Sequence, residues 1–379
     1  MKIMHLSDLH LGKKLHDFSL LPDQKFILNK IIEITDEETP DCIVIAGDVY
    51  DKSVPPAEAV ALFDHFISQL SERNLPVCII SGNHDSAERI AFGSKIMQKS
   101  NIYFSPVYSG KIHPVILHDE HGEIYFYLLP FISPHSVREF FEDKKISSYE
   151  DAVSSAISAM QIDTSARNIL IAHQYVTGAE RCDSEEIYVG NVQNVNASVF
   201  ADFDYVALGH LHSPQNIGSS RIRYSGTPLK YSFSEVEHHK SVTIAEIRKK
   251  GTEPDIKEIP LVPERDMQEV RDSFQNIMKM EKSDDYTRVI LRDKEPIIDA
   301  VFSLRNVFPN LMTMNYENEY KPDIKNLKYK ANSEAETPLE LFSDFYTQMS
   351  QESLTEDQKN FLEDIIKEIW GENYETAET

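Results

Sequence analysis

Several apolar runs in this sequence end in side chains that can hold a metal ion. Lys2–Ser7 leads into Asp8-Leu9-His10, and Cys42–Ala46 into Gly47-Asp48 with Asp51 close behind. Val77–Ile80 leads through Ser81-Gly82 to Asn83-His84-Asp85. Ile169–Ala172 ends in His173, and Tyr205–Leu208 in Gly209-His210-Leu211-His212. Short apolar runs of this kind read as buried strands, and the carboxyl ends of strands in open α/β sheets are where ligands bind. Taken singly, each polar residue is an ordinary cap or loop residue. Together they converge on one sheet edge, where side chains can share ligands. Carboxylates, imidazoles and one amide, with no cysteine nearby, suit a pair of divalent ions such as manganese better than a structural zinc cage. If the backbone is extended, the alternation in Asp8-x-His10 and His210-x-His212 puts both polar members on one face. Asp48 is the natural bridge. Two divalent ions with Asp8 and Asp48 leave a net charge of roughly +2, which suits phosphate, and neutral Asn83 preserves that excess.

The elements that must position these groups alternate. Helical spacing predicts a helix over 24–38, ended by Pro40, and a second opened by Pro55-Pro56 with Val60, Phe63, Phe66, Ile67 and Leu70 on its apolar face. Strand, helix, strand, helix, strand is the pattern of a layered α/β domain with a largely parallel core. Residues 114–118 and 124–129 flank His121-Gly122 as a hairpin. A helix follows over 149–161, and strands over 222–225 and 241–247 complete a first domain spanning 1–248. A second unit, 249–328, reads as a small α+β domain with helices over 265–280 and 296–308 and strands over 286–292 and 311–316. A polar linker over 321–337 runs into the last segment, 329–379, which holds two amphipathic helices. One carries Leu339, Phe342, Phe345, Tyr346 and Met349. The other opens on the capping-box sequence Thr355-Glu-Asp-Gln358 and carries Phe361, Leu362, Ile365, Ile366, Ile369 and Trp370.

Bulk composition restricts the class. The 379 residues, 41% of them apolar, suit two or three domains with a sizeable core. Three cysteines are too few for a disulfide framework, and Cys42 and Cys78 lie inside apolar runs, as reduced thiols of a cytoplasmic protein would. No apolar h-region or 18-residue apolar window is present, so neither a signal peptide nor a membrane span is expected. A formal charge of −24 argues against generic nucleic-acid binding. It does not exclude a nuclease whose metal ions or partner subunit supply positive charge.

Asp8-x-His10, Gly47-Asp48-x-x-Asp51, Gly82-Asn83-His84-Asp85, His173 and Gly209-His210-x-His212 resemble the signature of calcineurin-like metallophosphoesterases. Asp-Leu-His-Leu-Gly near the start, Tyr224-Ser-Gly-Thr-Pro228 and Leu-Thr-Glu-Asp-Gln358 resemble the SbcD subunits of bacterial SbcCD nucleases. The resemblance implies a layered β-sandwich flanked by helices, a small cap that helps position DNA, and C-terminal helices that dock on the coiled-coil base of an SbcC-type SMC-like ATPase. It implies one ion held by Asp8, His10, Asp48 and His212 and another by Asp48, Asn83, His173 and His210. It gives His84 the phosphate-facing acid role, with Asp85 orienting its ring, and leaves Asp51, a histidine in some relatives, without a firm role. The implied activity is two-metal (manganese) phosphodiester hydrolysis in which water attacks phosphorus in line. With the ATPase it becomes ATP-dependent double-strand exonuclease and single-strand endonuclease cleavage, serving DNA repair, recombination and replication. A homodimer through the first domain is also implied. The alternative is a nucleotide or small-molecule phosphodiesterase or phosphatase, and an idle scaffold would be expected to have lost ligands.

The remaining candidates are weaker. His5 reads as packed in its strand and His16 as solvated. His113, His118, His121 and His135 match no ligand spacing, and His238-His239 read as exposed. Lys13, Lys14 and Arg89 are candidate phosphate contacts. Ser225 and Thr227 are explained as well by turn chemistry as by substrate contact.

Overall fold

The computed structural model describes residues 1–141, 143–180, 194–317, 339, 342–343, 346–347 and 353–370. The chain begins with Lys2–Leu6 (β1), a small ribbon of Lys14–Leu15 (β2) and Phe18–Ser19 (β3), and Leu21–Glu38 (α1). Cys42–Ala46 (β4), Ala57–Glu72 (α2), Val77–Ile80 (β5) and Ile102–Phe104 (β6) follow. Next come Val115–Asp119 (β7), Gly122–Leu129 (β8), Tyr149–Ala159 (α3), Arg167–His173 (β9), Tyr205–Gly209 (β10), Gln215–Ile217 (β11) and Ser219–Tyr224 (β12). Ser241–Glu246 (β13) and Asp255–Pro260 (β14) are the last strands of the two large sheets.

Apart from the β2-β3 ribbon, these strands form two six-stranded sheets, ordered β14-β13-β1-β4-β5-β6 and β11-β12-β10-β9-β8-β7. The β1-β4-β5-β6 and β8-β9-β10-β12 pairings are parallel, and antiparallel strands cover the margins. The sheets pack face to face. Residues such as Ile3, Cys42, Val44, Ala46, Cys78 and Ile80 meet Ile124, Phe126, Ile169, Ile171, Tyr205 and Ala207 in one buried cluster. The opposite faces carry helices. Ile43, Ile45 and Ile79 pack with Ile27, Ile31, Phe63 and Leu70, and Leu170, Ala172 and Val206 pack with Val153, Ala156 and Ile157. Double coverage is why the central strands are unbroken apolar runs and not alternating ones. Each fully buried aliphatic side chain stabilises the fold by about 1.5–3 kcal/mol.

Three elements differ from the sequence expectation, and one of them, the helix expected over 296–308, is confined to Ala300–Leu304. The sheet does not stop near residue 248, because Asp255–Pro260 pairs along the whole of β13, from Ser241 opposite Pro260 to Glu246 opposite Asp255. The segment 265–280 is not one helix. Met267–Asp272 is a strand (β15), and only Phe274–Ile277 makes a helical turn. Met267, Val270, Phe274 and Ile277 have helical spacing, but a strand followed by one turn satisfies the same pattern, and pairing beside Tyr286–Leu291 (β16) decides it. With Leu311–Tyr316 (β17) they make a three-stranded sheet, β15-β16-β17.

The chain divides into two compact units. The larger comprises Met1–Val270, Gln275–Val289 and Asp299–Met314, and the smaller Arg271–Phe274, Ile290–Ile298 and Asn315–Thr379. Within the larger unit Asp23 of α1 is buried and accepts from Arg265 at 2.9 and 3.0 Å and from the Tyr286 hydroxyl at 2.6 Å. Within the smaller, Glu356–Trp370 (α4) is helical. Its capping box is formed, with the Thr355 N–H donating to Gln358 Oε1 at 2.9 Å and the Gln358 N–H to Thr355 Oγ1 at 3.3 Å. The linker 321–337, Cys182 and most of the expected helix around Leu339–Met349 lie outside the described residues. Among the described residues no helix is long and apolar enough to cross a membrane.

Candidate metal centre

Loops at the carboxyl ends of β1, β4, β5 and β10, together with the last residue of β9, meet at one edge of the sandwich. The first two loops run side by side. The Asp8 N–H donates to the Gly47 carbonyl (3.0 Å), the His10 N–H to the Asp48 carbonyl (2.9 Å) and the Leu11 N–H to the Val49 carbonyl (2.9 Å). The backbone here is not extended. Asp8, His10, Asp48 and His210 all take positive φ, at 52°, 44°, 48° and 103°. Such angles are uncommon outside glycine and persist only where the surroundings enforce them. Left-handed turns, not strand alternation, bring Asp8 and His10 together. Two glycines permit the close approach. A Cβ at Gly82 would overlap the Asp48 carboxylate, and one at Gly209 would overlap the Ala46 carbonyl oxygen.

The eight expected side chains converge. Ligand atoms of Asp8, His10 and His212 lie within 4.8 Å of one another, as do those of Asp8, Asp48 and His173 and those of His10, Asp48 and His84. Asn83 Oδ1 lies 2.9 Å from His173 Nε2 and 3.1 Å from His210 Nδ1. Asp8 also joins the outermost loops, since both its oxygens accept the His210 N–H, at 3.0 and 3.1 Å.

The donor chemistry fits bound cations. His173 Nδ1 faces the Ala46 carbonyl at 2.8 Å and must donate to it. In the neutral ring Nε2 is then a lone pair, yet it faces Asn83 Oδ1 and, at 3.3 Å, Asp48 Oδ2. Acceptors converging on one point need a positive charge between them. His10 is 1% exposed and neither of its ring nitrogens has a hydrogen-bond partner. An orphaned buried imidazole requires an explanation, and a metal supplies one. Asp48 Oδ1 accepts the His84 N–H at 2.9 Å, which leaves Oδ2 facing His10, His84 and His173 at 3.7, 4.0 and 3.3 Å. The ionisation behaviour agrees. Burial pushes Asp8 up to about 6. Burial opposes the charge on His173, but the Asp48 carboxylate raises it to about 9. Burial likewise opposes ionisation of Asp48, and His173, His10 and His84 nevertheless hold it well below the usual carboxylate range. Burial drives His10 the other way, well below an ordinary imidazole.

Other expectations are corrected. Asp85 does not orient His84. Its Oδ2 accepts the Val49 and Gly82 N–H groups at 3.1 and 2.9 Å, and its Oδ1 the Tyr50 N–H at 2.9 Å. The ring of His84 is held instead by the Asp51 carbonyl, 3.0 Å from Nδ1. The Asp51 carboxylate pairs with Lys13 Nζ at 2.7 Å, so Lys13 braces the site in place of offering a free phosphate contact. Ser225 and Thr227 are buried, their hydroxyls donating to Ser7 Oγ at 2.9 Å and the Leu229 carbonyl at 2.7 Å, which removes them from any substrate surface. His5 is packed as expected, its ring bridging the Tyr205 hydroxyl (2.9 Å) and the Leu208 carbonyl (3.1 Å) of the other sheet. His238 is half-buried, while His239 is exposed.

Sequence reasoning missed three supporting residues. Gln24 of α1 is buried, donates to the His10 carbonyl at 2.7 Å and accepts the Gly12 N–H at 2.9 Å, clamping the first loop. Glu235 accepts from His212 Nδ1 at 3.1 Å and pairs with buried Lys240. The Lys240 and Glu235 positions carried no ligand spacing. Only Gln24, near the start of a helix beside the first motif, had a local signal, a polar residue among apolar ones.

Residues 1–214 match the family described as calcineurin-like phosphoesterase. Residues 263–350 match one described as type 5 capsule protein repressor C-terminal domain. The chain is 35% identical over 382 residues to the SbcD subunit of the SbcCD nuclease from Staphylococcus saprophyticus, covering 98% of this chain and 99% of that protein. The corresponding SbcD protein from Staphylococcus epidermidis is 33% identical over 378 residues, covering 97% and 99%. The chain belongs to the calcineurin-like phosphoesterases and, within them, to the SbcD nuclease-subunit family. Membership makes it a metal-dependent phosphoesterase.

Proposed function

We propose that this chain is the manganese-dependent nuclease subunit of a DNA-processing complex, cutting phosphodiester bonds alongside an SbcC-type SMC-like ATPase. The observation that carries the reading is His10, buried beside Asp8, Asp48 and His212 with no hydrogen bond to either ring nitrogen. Asp8, His10, Asp48 and His212 would hold one ion, and Asp48, Asn83, His173 and His210 the other. When bound, such a pair supplies Lewis-acid stabilisation of phosphoryl oxygens and lowers the pKa of water. The protein's own part is positioning. The Ala46 carbonyl fixes the His173 tautomer with Nε2 turned to the centre, and Asp48 presents Oδ2 to both halves while Oδ1 is held by the His84 N–H. His84 stands apart. Its side chain is 26% exposed where those of His10, Asp48 and His173 are at most 3%. With Nδ1 held by the Asp51 carbonyl, Nε2 is the nitrogen left to meet an entering phosphate. It would stabilise developing charge or protonate the leaving oxygen.

Partner docking falls to the C-terminal helix, whose Phe361 is 66% exposed. A homodimer through the first domain is supported by Phe92 and Ile96, 86% and 74% exposed. Free buried Cys42 and Cys78 suit the cytoplasm. The test is cleavage of linear duplex and single-stranded DNA by the purified chain with manganese, with and without the ATPase and ATP. Exonuclease and endonuclease products, stimulated by the ATPase, are expected. Hydrolysis of bis-p-nitrophenyl phosphate with no DNA cleavage under either condition would instead identify a small-molecule phosphodiesterase.

A further inference from the structure

The two halves of the centre are braced differently. His173 donates from Nδ1 to a backbone carbonyl, that of Ala46, at 2.8 Å. His212 has a carboxylate in the same place, Glu235 Oε1 at 3.1 Å from Nδ1. Glu235 is 0% exposed and ends the short turn Phe233–Glu235. The same oxygen accepts the Tyr231 N–H at 3.4 Å. The other oxygen, Oε2, meets Lys240 Nζ. Lys240 is 6% exposed, and its ammonium also donates to the His212 carbonyl at 2.8 Å and Thr227 Oγ1 at 2.7 Å. A buried Glu–Lys pair is weak in itself as a source of stability. This one lies against both the ring and the backbone of a single ligand residue.

We infer that Glu235 is a positioning residue for His212, fixing its tautomer and ring plane so that Nε2 faces the ion shared with Asp8 and His10. The inference rests on the metal reading above. The carboxylate makes the imidazole a stronger donor, as partners on the far side of a metal-binding histidine do. Lys240 cancels the added negative charge, so Glu235 strengthens His212 without drawing down the positive excess that phosphate needs. Lys240 also fixes the His212 backbone, so ring and main chain are held by one charge pair. The effect is local to one ion, because His173 on the other side takes its tautomer from the Ala46 carbonyl.

The test uses the full-length chain stripped of metal and titrated with manganese by calorimetry, with electron paramagnetic resonance counting bound ions. Wild type is expected to bind two. Glu235→Leu/Lys240→Met removes both charges and the acceptor, and should weaken one ion by about 10–100-fold while leaving the other unchanged. Glu235→Gln/Lys240→Met keeps an acceptor for His212 Nδ1 and should recover most of that affinity. A role confined to packing would change melting temperature in both variants without separating them in metal binding, and that result overturns the inference. If the leucine variant does not fold, Glu235→Asp keeps the charge beside Lys240 and withdraws the oxygen by one methylene. It should weaken the same single ion. Unchanged affinity for both ions in a folded leucine or aspartate variant also overturns the inference. Wild-type protein that binds no manganese overturns the metal reading instead.

Discussion

Asp85→Asn separates the role the structure gives Asp85 from the one its place beside His84 suggests. The carboxylate accepts three backbone N–H groups from two loops, those of Val49 and Tyr50 after β4 and of Gly82 after β5. A hydrogen bond to a charged acceptor contributes about 1.5–3 kcal/mol, and an unsatisfied buried donor costs about 1–3 kcal/mol. Asparagine keeps one oxygen, which can serve Val49 and Gly82 or Tyr50 but not all three, and turns its amide nitrogen toward a donor. The expected loss is about 2–4 kcal/mol, and for Asp85→Ala about 3–6 kcal/mol. Against a total of about 5–15 kcal/mol, the alanine variant is near the limit of folding. Burial pushes the Asp85 carboxyl up to about 6, so equilibrium urea denaturation of metal-free protein is best run at pH 8, where the carboxylate is ionised. The reasoning is refuted if Asp85→Asn keeps the wild-type midpoint and slope, binds two ions and loses only turnover. That pattern would return Asp85 to the His84 ring.

Three further outcomes follow from the geometry. His84→Ala should lower turnover by about 10²–10⁴-fold while manganese stoichiometry, measured by paramagnetic resonance, stays at the wild-type value; loss of an ion would make His84 a ligand. Gly209→Ala drives a Cβ into the Ala46 carbonyl, and thermal melts should show a loss of at least about 1–3 kcal/mol, with weakened metal binding because His210 shifts with it. His5 is held neutral by burial, down to about 3, against about 6.5 when unfolded. Between those values the unfolded chain takes the proton, so stability falls as pH drops from about 6.5 toward 3, by up to about 1.4 kcal/mol per unit from this group. His5→Gln should remove that share of the slope in urea titrations across pH, and an unaltered slope would place the proton elsewhere.

Much of this was legible in the chain. The unbroken apolar runs of β4 and β5 already required cover on both faces, and the glycine before Asp48, Asn83 and His210 marked the turns. The residues gathered at the centre were named by type and place, because a strand's carboxyl end is fixed by where its apolar run stops. The sequence was less informative where one local pattern fits two structures. Met267, Val270, Phe274 and Ile277 suit a helix or a strand with a turn, and only pairing beside β16 selects the second.

Tertiary structure alone decided how the site is held. Asp85 adjoins His84 in the chain, yet its oxygens reach N–H groups of Val49 and Tyr50. Hydrogen bonds are made by distance in space, which sequence adjacency does not report. Glu235 and Lys240 lie 23 and 28 residues beyond His212 and share no motif with it, but the fold closes them around its ring and carbonyl. Sequence therefore determined which groups gather at the centre, since their chemistry is carried by residue type. The angles, tautomers and charge balance that make them a centre came from loops packed against one another, which no single stretch of the chain contains.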